Sequence, residues 1–193
     1  MKLLFVLCAP QRPSLGVSIA ETIRDRLEAS GHEVLWHDLY AEGFDPVMDR
    51  GELARGSSLD NLVGAHSRDL AGSQGLLIVH PDWWGQPPAI LKGWIDRVFR
   101  EGVAYELAGE DGYEKTWKPL LGGKRGFVIV TSDSADPRRE ALFRELWVEA
   151  VLGACGMEAY CSYLGDLRRI DAEARKTWVD ATRDWVGTLF SAP

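Results

Sequence analysis

The chain has 193 residues, 46% of them hydrophobic and 26% charged, a composition typical of one globular α/β domain spanning residues 1–193. Its formal net charge is −7 and its pI is near 5.1, so we expect no nucleic-acid partner, which would need a basic surface. No apolar run approaches the roughly 20 residues that span a bilayer, so we also expect no membrane insertion.

The positions of cysteine and histidine predict neither a disulfide framework nor a metal site. The three cysteines, Cys8, Cys155 and Cys161, are odd in number and show no Cys-x-x-Cys spacing. The four histidines do not fall at metal-ligand spacings with one another or with cysteine. A reducing, cytoplasmic environment fits this cysteine pattern best.

Strand and helix patterns alternate along the chain from its first residues. The apolar run 3–9 predicts a strand of a parallel sheet, and Ile19, Ile23 and Leu27 predict the buried face of a helix that Gly31 ends. Further strands are predicted at 33–39, 75–80, 124–130 and 157–163. Segment 38–58 is interpreted as a polar excursion, and 102–123 as a glycine-dotted loop.

Four further helices complete the pattern. One covers 59–71, and one follows Pro88 with an apolar stripe between Ile90 and Phe99. Another starts at Asp136, and the last is capped by Asp171. For the helix after Asp136 we expect a buried face of Leu142, Phe143, Leu146, Trp147 and Ala150. For the last helix we expect a stripe of Ala174, Trp178, Ala181, Trp185 and Leu189.

Five strands that alternate with five helices imply right-handed crossovers and a parallel sheet. We therefore predict a three-layer α/β sandwich with strand order 2-1-3-4-5 and helices on both faces of the sheet. Ligands of such sheets bind outside the carboxyl ends of the strands, at the point where the strand order reverses. A crevice at the ends of strands one, three and four follows from this order.

The turn after the first strand could bind an anion. It leads into a helix N-terminus, where unpaired N–H groups and the helix dipole favour negative charge. Taken alone, Ser14 is more simply explained as a helix cap than as a phosphate ligand. The candidate phosphate-binding residues are Arg12, Ser14, Leu15, Gly16 and Ser18.

Two more turns are expected to meet at the same crevice. The turn after the third strand is aromatic and framed by prolines, although its two tryptophans could also be ordinary core residues. The turn after the fourth strand offers hydroxyl groups. The candidates in the third-strand turn are Pro81, Asp82, Trp83, Trp84 and Gly85, and those in the fourth-strand turn are Thr131, Ser132, Asp133 and Ser134.

The stretch from His80 to Phe99 reads HPDWWGQPPAILKGWIDRVF. It resembles the signature of the flavodoxin-like NAD(P)H:quinone oxidoreductase family, in which a Pro-x-x-Trp turn leads into Pro-Ala-Ile-Leu-Lys-Gly-Trp. The segments DLYAEGFDP at 38–46 and GACGM at 153–157 extend this resemblance over most of the chain. The resemblance implies a flavodoxin-like fold.

The resemblance further implies a bound flavin that carries the chemistry, so that no catalytic side chain is required. The expected cofactor is FMN, with FAD left open, and the three turns would hold it. NAD(P)H would be the reductant and a quinone or similar two-electron acceptor the substrate, in a ping-pong cycle. Family members usually form homodimers, so a second copy of the chain is the expected partner.

The chain departs from the family pattern at each turn. Pro10 stands where the first turn, His-x-x-x-Ser, has histidine, and Gly85 replaces an aromatic residue, which could widen the substrate pocket. The third turn lacks the Thr-Thr-Gly-Gly sequence and the tyrosine and histidine that follow it in relatives. We expect Asp133 to point to solvent, because its charge near a reduced flavin would be unfavourable.

Three other functions remain open at this point. The chain could be a flavodoxin-type carrier that passes single electrons to protein partners without using a nicotinamide. It could be a flavoprotein regulatory subunit of a potassium-efflux transporter, since some relatives of the family bind such transporters. It could also be a relative of the same fold that no longer binds flavin, because all three turns are altered.

Overall fold

A computed structural model of the protein describes residues 1–108 and 116–191. The strands are β1 (Lys2–Leu7), β2 (Glu33–Asp38), β3 (Gly75–Pro81), β4 (Tyr105–Ala108), β5 (Thr116–Pro119), β6 (Arg125–Thr131) and β7 (Glu158–Leu164). Five of them form a parallel sheet in the order β2-β1-β3-β6-β7. The predicted order 2-1-3-4-5 is therefore confirmed.

Helices cover both faces of this sheet. They are α1 (Leu15–Ala29), α2 (Arg50–Arg55), α3 (Asn61–Gly72), α4 (Ala89–Val98), α5 (Arg138–Arg144) and α6 (Ala172–Leu189). The core between the sheet and helices α1 and α6 lies on one face, and the core under α3, α4 and α5 lies on the other. The flavodoxin-like three-layer architecture is confirmed. Among the described residues, no helix combines the length and apolar composition needed to cross a bilayer.

The central strands read as continuous apolar runs because both of their faces are buried. Leu3 to Leu7 of β1, Leu76 to Val79 of β3 and Phe127 to Val130 of β6 are fully buried. The outer strands β2 and β7 are only partly buried. Because these apolar strands run parallel, the turns that follow them lie at one edge of the sheet.

The buried faces of the last two predicted helices differ from expectation. After α5 the chain continues as a π-helical segment, Glu145–Leu152, and a 3-10 turn, Gly153–Cys155. Phe143 and Trp147 are buried, whereas Leu142 and Ala150 are exposed. The wider π-helical turns that begin at Glu145 shift the register of the residues after it, including Ala150. In α6, Ala174 and Ala181 are exposed, and the buried residues are Thr182 and Val186.

Two segments predicted as irregular contain regular structure. The polar excursion includes helix α2, which Asp49 caps by accepting a hydrogen bond from the Glu52 N–H at 2.6 Å. The segment 102–123 contains the antiparallel hairpin of β4 and β5, in which the Tyr105 and Trp117 rings stack with centroids 3.8 Å apart. Residues 109–115 of this segment lie outside the described residues.

Helix α4 fixes the excursion that follows β2. A Cβ atom on Gly93 would overlap the backbone of Pro46, so only glycine allows this close approach. The Trp94 indole N–H donates to His66 Nδ1 at 2.8 Å. The guanidinium of Arg97, which is 5% exposed, binds the Glu52 carboxylate and the Asp45 carbonyl oxygen. The conspicuous Gly-Trp pair of the sequence therefore has a packing role.

Candidate functional site

The three predicted turns meet at the carboxyl ends of β1, β3 and β6. Pro81 pairs with Thr131 at the ends of β3 and β6, and the Asp82 N–H donates to the Thr131 carbonyl oxygen at 2.8 Å. The Cys8 N–H donates to the Val79 carbonyl oxygen at 2.8 Å and holds the end of β1 beside β3. These contacts enclose a cavity of about 570 Å³, a size typical of cofactor sites.

Most of the predicted residues line this cavity, and some do not. The predicted residues in its walls are Ser14, Leu15, Gly16, Pro81, Asp82, Trp83, Thr131, Ser132 and Asp133. Those outside the lining are Arg12, Ser18, Trp84, Gly85 and Ser134. The walls also contain residues that were not predicted, namely Ala9, Pro10, Gln11 and Leu167.

The first turn ends in a capped helix with unused N–H groups. Ser14 Oγ accepts a hydrogen bond from the Val17 N–H at 3.3 Å, so this serine is the N-cap of α1 as well as a wall residue. The N–H groups of Leu15 and Gly16 bind no acceptor among the described residues. Arg12 forms an ion pair with Asp38, and neither residue lines the cavity. The remaining anion-binding capacity is thus the helix N-terminus itself.

The second turn is a tight reversal. Trp83 and Gln86 exchange backbone hydrogen bonds of 3.0 and 3.1 Å, and the two residues between them have positive φ. Trp84 has φ 60° and Gly85 has φ 78°, as in a type I′ turn. Positive φ is unusual for a large side chain, and Trp84 is 97% exposed. The turn therefore projects one tryptophan into solvent while Trp83 faces the cavity.

A buried histidine supports this turn from below. His80 donates from Nδ1 to the Pro81 carbonyl oxygen at 2.8 Å and accepts at Nε2 from the Trp147 indole N–H at 3.0 Å. Complete burial, partly offset by the bond to Pro81, lowers the pKa of His80 to about 4. His80 is therefore neutral near pH 7 and has a fixed tautomer, which joins the end of β3 to the π-helical segment.

Asp82 joins the second and third turns. Its side chain is only 4% exposed, and its carboxylate accepts hydrogen bonds from the Gly85 N–H at 2.7 Å and the Ser132 hydroxyl at 2.8 Å. Ser132 Oγ also accepts from the Ser134 N–H at 3.0 Å. Because the Ser132 proton is donated to Asp82, the hydroxyl at this turn without a partner among the described residues is that of Thr131.

The turn after the fifth strand of the sheet forms part of the site, and this was not predicted. The Leu167 N–H donates to the Ser132 carbonyl oxygen at 3.1 Å, and Leu167 lines the cavity. Nearby, Asp133 forms an exposed ion pair of 2.9 Å with Arg168. The predicted strand order could have revealed this contribution, because it places the end of β7 directly beside the end of β6.

The position of Gly85 is not open space. An added Cβ atom there would overlap Arg139 Nη1 and lie 3.2 Å from Leu142 Cδ2. Arg139 of α5 thus occupies the volume that an aromatic side chain would need. The wider pocket expected from Gly85 is not formed at this point, and a guanidinium group stands there instead.

Two histidines outside the cavity, His37 and His66, lie close together in space, which their spacing in the sequence did not predict. Ligand atoms of His37, Glu42 and His66 lie within 4.8 Å of one another. His66 Nδ1 accepts from Trp94, so its proton is on Nε2, which lies 3.0 Å from Glu42 Oε2. A metal would need the lone pair at Nε2. Because Nε2 of His66 carries a proton, the three side chains are better described as a hydrogen-bonded cluster than as a metal site.

His37 is the member of this cluster whose pKa is raised. Its ring nitrogens lie 2.9 Å from Glu42 and 2.8 Å from Asp69, so each nitrogen faces a carboxylate. Burial alone would lower the pKa of His37, but the hydrogen bonds to Glu42 and Asp69 outweigh it and raise this pKa. For Glu42, burial opposes the hydrogen bonds from His37 and His66, which lower its pKa to about 2.

A second cavity, of about 560 Å³, lies at the opposite edge of the sheet. Gln74, Lys124 and Arg125 are in its walls, at the amino-terminal ends of β3 and β6. The first cavity is the better candidate for the functional site. Ligands of parallel α/β sheets bind at the carboxyl ends of the strands, and the three candidate turns after β1, β3 and β6 all lie at that end.

The cysteines offer no reactive thiolate. All three are free, and burial raises the pKa of Cys8 to about 12, of Cys155 to about 11 and of Cys161 to about 12. A thiol must lose its proton to act as a nucleophile. Cys8 follows β1 close to the cavity but is fully buried, so its part in the site is packing.

Comparison with known proteins finds similar sequences over nearly the whole chain. The profile of a family described by its flavodoxin-like fold matches residues 1–186. A Haemophilus influenzae protein named uncharacterized NAD(P)H oxidoreductase is 28% identical over 180 residues, which cover 86% of this chain and 84% of that protein. The FMN-dependent NAD(P)H:quinone oxidoreductase 1 of Pseudomonas aeruginosa is 28% identical over 126 residues, covering 61% and 57%.

Solved structures resemble the whole fold. The crystal structure of Smu.1420 from Streptococcus mutans superimposes with a TM-score of 0.81 at 26% identity. The similarity covers 97% of this chain and all of that one. The overall fold of the chain is therefore a recurring architecture.

Proposed function

Because the chain belongs to the flavodoxin-like fold family, we propose that it is a flavin-dependent NAD(P)H oxidoreductase whose acceptors are quinones or similar two-electron acceptors. The names of its relatives, NAD(P)H oxidoreductase and FMN-dependent NAD(P)H:quinone oxidoreductase, support this reaction class. The observation that carries the proposal is the cavity of about 570 Å³ where the turns after β1, β3 and β6 meet. NAD(P)H and the acceptor would use this cavity in turn.

The residues of the first turn fit the phosphate of FMN. The N–H groups of Leu15 and Gly16 are unpaired among the described residues and stand at the positive end of α1. Ser14 adds a hydroxyl at the same place. Arg12 forms an ion pair with Asp38, so we assign it no direct contact with the phosphate. FMN is preferred to FAD because no segment clearly offers an adenine site.

The other two turns fit the edge of a flat ring system. Pro81 and Trp83 supply apolar surface, and Leu167 supplies more from the opposite wall. Most N–H groups of the second turn already donate within the protein, including those of Asp82, Trp83 and Gly85. Polar recognition of the ring therefore falls mainly to Thr131 and the backbone around Asp133.

The residues supply position and an apolar enclosure, and the bound cofactor supplies the redox chemistry. A flavin held here would supply two-electron transfer between the substrates. NAD(P)H would be oxidised to NAD(P)⁺, and a quinone would take up two electrons and two protons, one of them from solvent, to become a hydroquinone. Holding each partner within about 3 to 3.5 Å of the ring in turn is the main contribution expected of the cavity walls.

Steady-state oxidation of NAD(P)H by the FMN-loaded protein with a small benzoquinone tests this function. We expect turnover that depends on FMN and on both substrates, with the parallel-line kinetics of a ping-pong cycle. A protein that binds FMN but does not oxidise NAD(P)H would instead act as an electron carrier. A variant with Gly16→Trp, which fills the phosphate end of the cavity, should lose turnover together with FMN binding.

A second copy of the chain is the proposed partner. Trp83, Trp84 and Leu142 are 45%, 97% and 41% exposed and cluster around the second turn and α5. Exposed apolar clusters of this kind usually mark interaction surfaces. Light scattering should give twice the chain mass of 21.5 kDa, and Trp84→Ser should weaken the association. A monomer at micromolar concentration would contradict the dimer.

We also place the protein in the cytoplasm. The support is chemical, because its three cysteines are free and the chain shows no disulfide framework. Separation of cell fractions with an antibody to the chain tests this location, and recovery in a secreted or periplasmic fraction would contradict it.

A further inference from the structure

A negative charge is buried in the wall of the cavity. Asp82 is a wall residue whose side chain is only 4% exposed. Its carboxylate has two hydrogen-bond donors, the Gly85 N–H at 2.7 Å and the Ser132 hydroxyl at 2.8 Å. Burying a carboxylate is costly unless a cation or further donors stand nearby. A group bound in this cavity therefore experiences the field of Asp82 and of whatever balances it.

The balancing group is Arg139. Its Nη1 atom lies 3.7 Å from Asp82 Oδ1, and its side chain is 26% exposed. The guanidinium fits beside Gly85, where a Cβ atom would overlap it, so this glycine is what lets the positive charge stand behind the second turn. At 3.7 Å the two groups attract each other without a direct hydrogen bond, so the guanidinium keeps donors available.

No other positive side chain is placed in this way among the described residues of the site. Arg12 pairs with Asp38, Arg168 pairs with the exposed Asp133, and Arg138 pairs with Asp136 and has a side chain 88% exposed. Asp38 and Asp136 do not line the cavity, and Asp133, which does, has a side chain that is 56% exposed. Among these arginines, Arg139 alone faces Asp82, the buried carboxylate of the wall.

We propose that Asp82 and Arg139 set the reduction potential of the flavin that this cavity binds, with Arg139 raising it and Asp82 lowering it. The inference rests on the proposed function. A flavin gains negative charge on reduction, so a nearby cation favours the reduced form and a nearby carboxylate disfavours it. Both residues are positioning and electrostatic residues, and neither transfers a proton or a hydride.

The test is the reduction potential of bound FMN, measured by spectroscopic titration against a reference dye. Arg139→Gln is expected to lower the ratio of affinities for reduced and oxidised FMN by on the order of tenfold, a shift of about 30 mV for a two-electron couple. Arg139→Lys should keep most of the wild-type potential, and Asp82→Asn should raise it. Arg138→Gln, which removes an exposed charge one residue away, should leave it unchanged.

Affinity for oxidised FMN and circular dichroism, measured on the same samples, separate a change of potential from a loss of binding or folding. Arg139→Gln with the potential of wild type, or a shift no larger than that of Arg138→Gln, overturns the inference while leaving the proposed function intact. A folded wild-type protein that binds no FMN overturns both.

Discussion

At the scale of single residues, Gly85 and Arg139 exclude a larger side chain at position 85. Gly85 has φ 78°, and an added Cβ atom would overlap Arg139 Nη1. A side chain at position 85 would therefore be strained by the positive φ and would collide with Arg139. The sequence showed the glycine, but the arginine lies far along the chain, so its position beside Gly85 could only come from the structure.

We predict that Gly85→Ala lowers the free energy of unfolding by about 2 kcal/mol, because both effects act on it. Gly43→Ala is the matched control, since Gly43 has φ 61° but nothing within 4 Å of an added Cβ, and it should cost about 1 kcal/mol. Urea unfolding measures both. In the Arg139→Ala background, Gly85→Ala should cost no more stability than Gly43→Ala does, because the overlap with Arg139 is gone. Strict additivity of Gly85→Ala and Arg139→Ala would show that the overlap is unimportant.

The contribution of His37 to stability should decrease as the pH rises. The pKa of His37 is raised in the folded state, so its contribution to stability is present below its unfolded pKa of about 6.5 and is lost as pH rises through the folded value. His37→Asn should cost about 2 kcal/mol at pH 6 and less at pH 9.

Thermal unfolding followed from pH 6 to pH 9 tests this prediction. The wild-type protein should lose more stability across that range than the His37→Asn variant does. Equal pH slopes for the two proteins would mean that His37 is not the protonated partner of Glu42 and Asp69.

At the scale of elements, α4 both follows the second turn and fixes the excursion after β2. Gly93 packs against Pro46, and Arg97 forms a buried ion pair with Glu52 of α2 at 2.8 Å. A buried pair of this kind gives limited net stability but penalises its own disruption. The turn at Trp83 therefore starts a helix whose position is set by contacts on two sides.

We predict that Gly93→Ala destabilises the protein by about 1 to 3 kcal/mol even though alanine is the better helix former, because the methyl group would meet the Pro46 backbone. The control is Gly64→Ala in α3, where an added Cβ meets only the mobile end of Arg68 at 3.4 Å. That change should be neutral or stabilise by up to about 1 kcal/mol. Chemical unfolding of both variants gives the comparison, and a Gly93→Ala variant as stable as wild type would contradict the packing.

Much of this level could be predicted from the sequence, and the failures have physical causes. Continuous apolar runs identified the central strands, and Asp171 and Gly31 marked helix ends correctly. Helix α2 was missed although its signals were present, with Asp49 and Glu52 at its start and Gly56 in the left-handed conformation at its end. The buried face of the segment Glu145–Leu152 after α5 could not be predicted, because a periodicity of 3.6 does not describe a π-helical segment.

At the scale of the whole molecule, the site is assembled from turns that are distant in sequence and adjacent in space. The strand order made the meeting of the turns after β1, β3 and β6 predictable, since parallel strands end at a common edge. The engagement of Arg12 by Asp38 and of the Ser132 hydroxyl by Asp82 was not predictable, because each depends on a choice between competing polar partners.

The proposed function depends on the binding of FMN to this cavity, and the absorbance spectrum of the purified protein shows whether FMN is bound. We expect a yellow protein that releases a stoichiometric amount of FMN on acid treatment and rebinds added FMN when stripped. Release of FAD would change the cofactor but keep the site. A colourless protein that ignores added flavin would contradict the account.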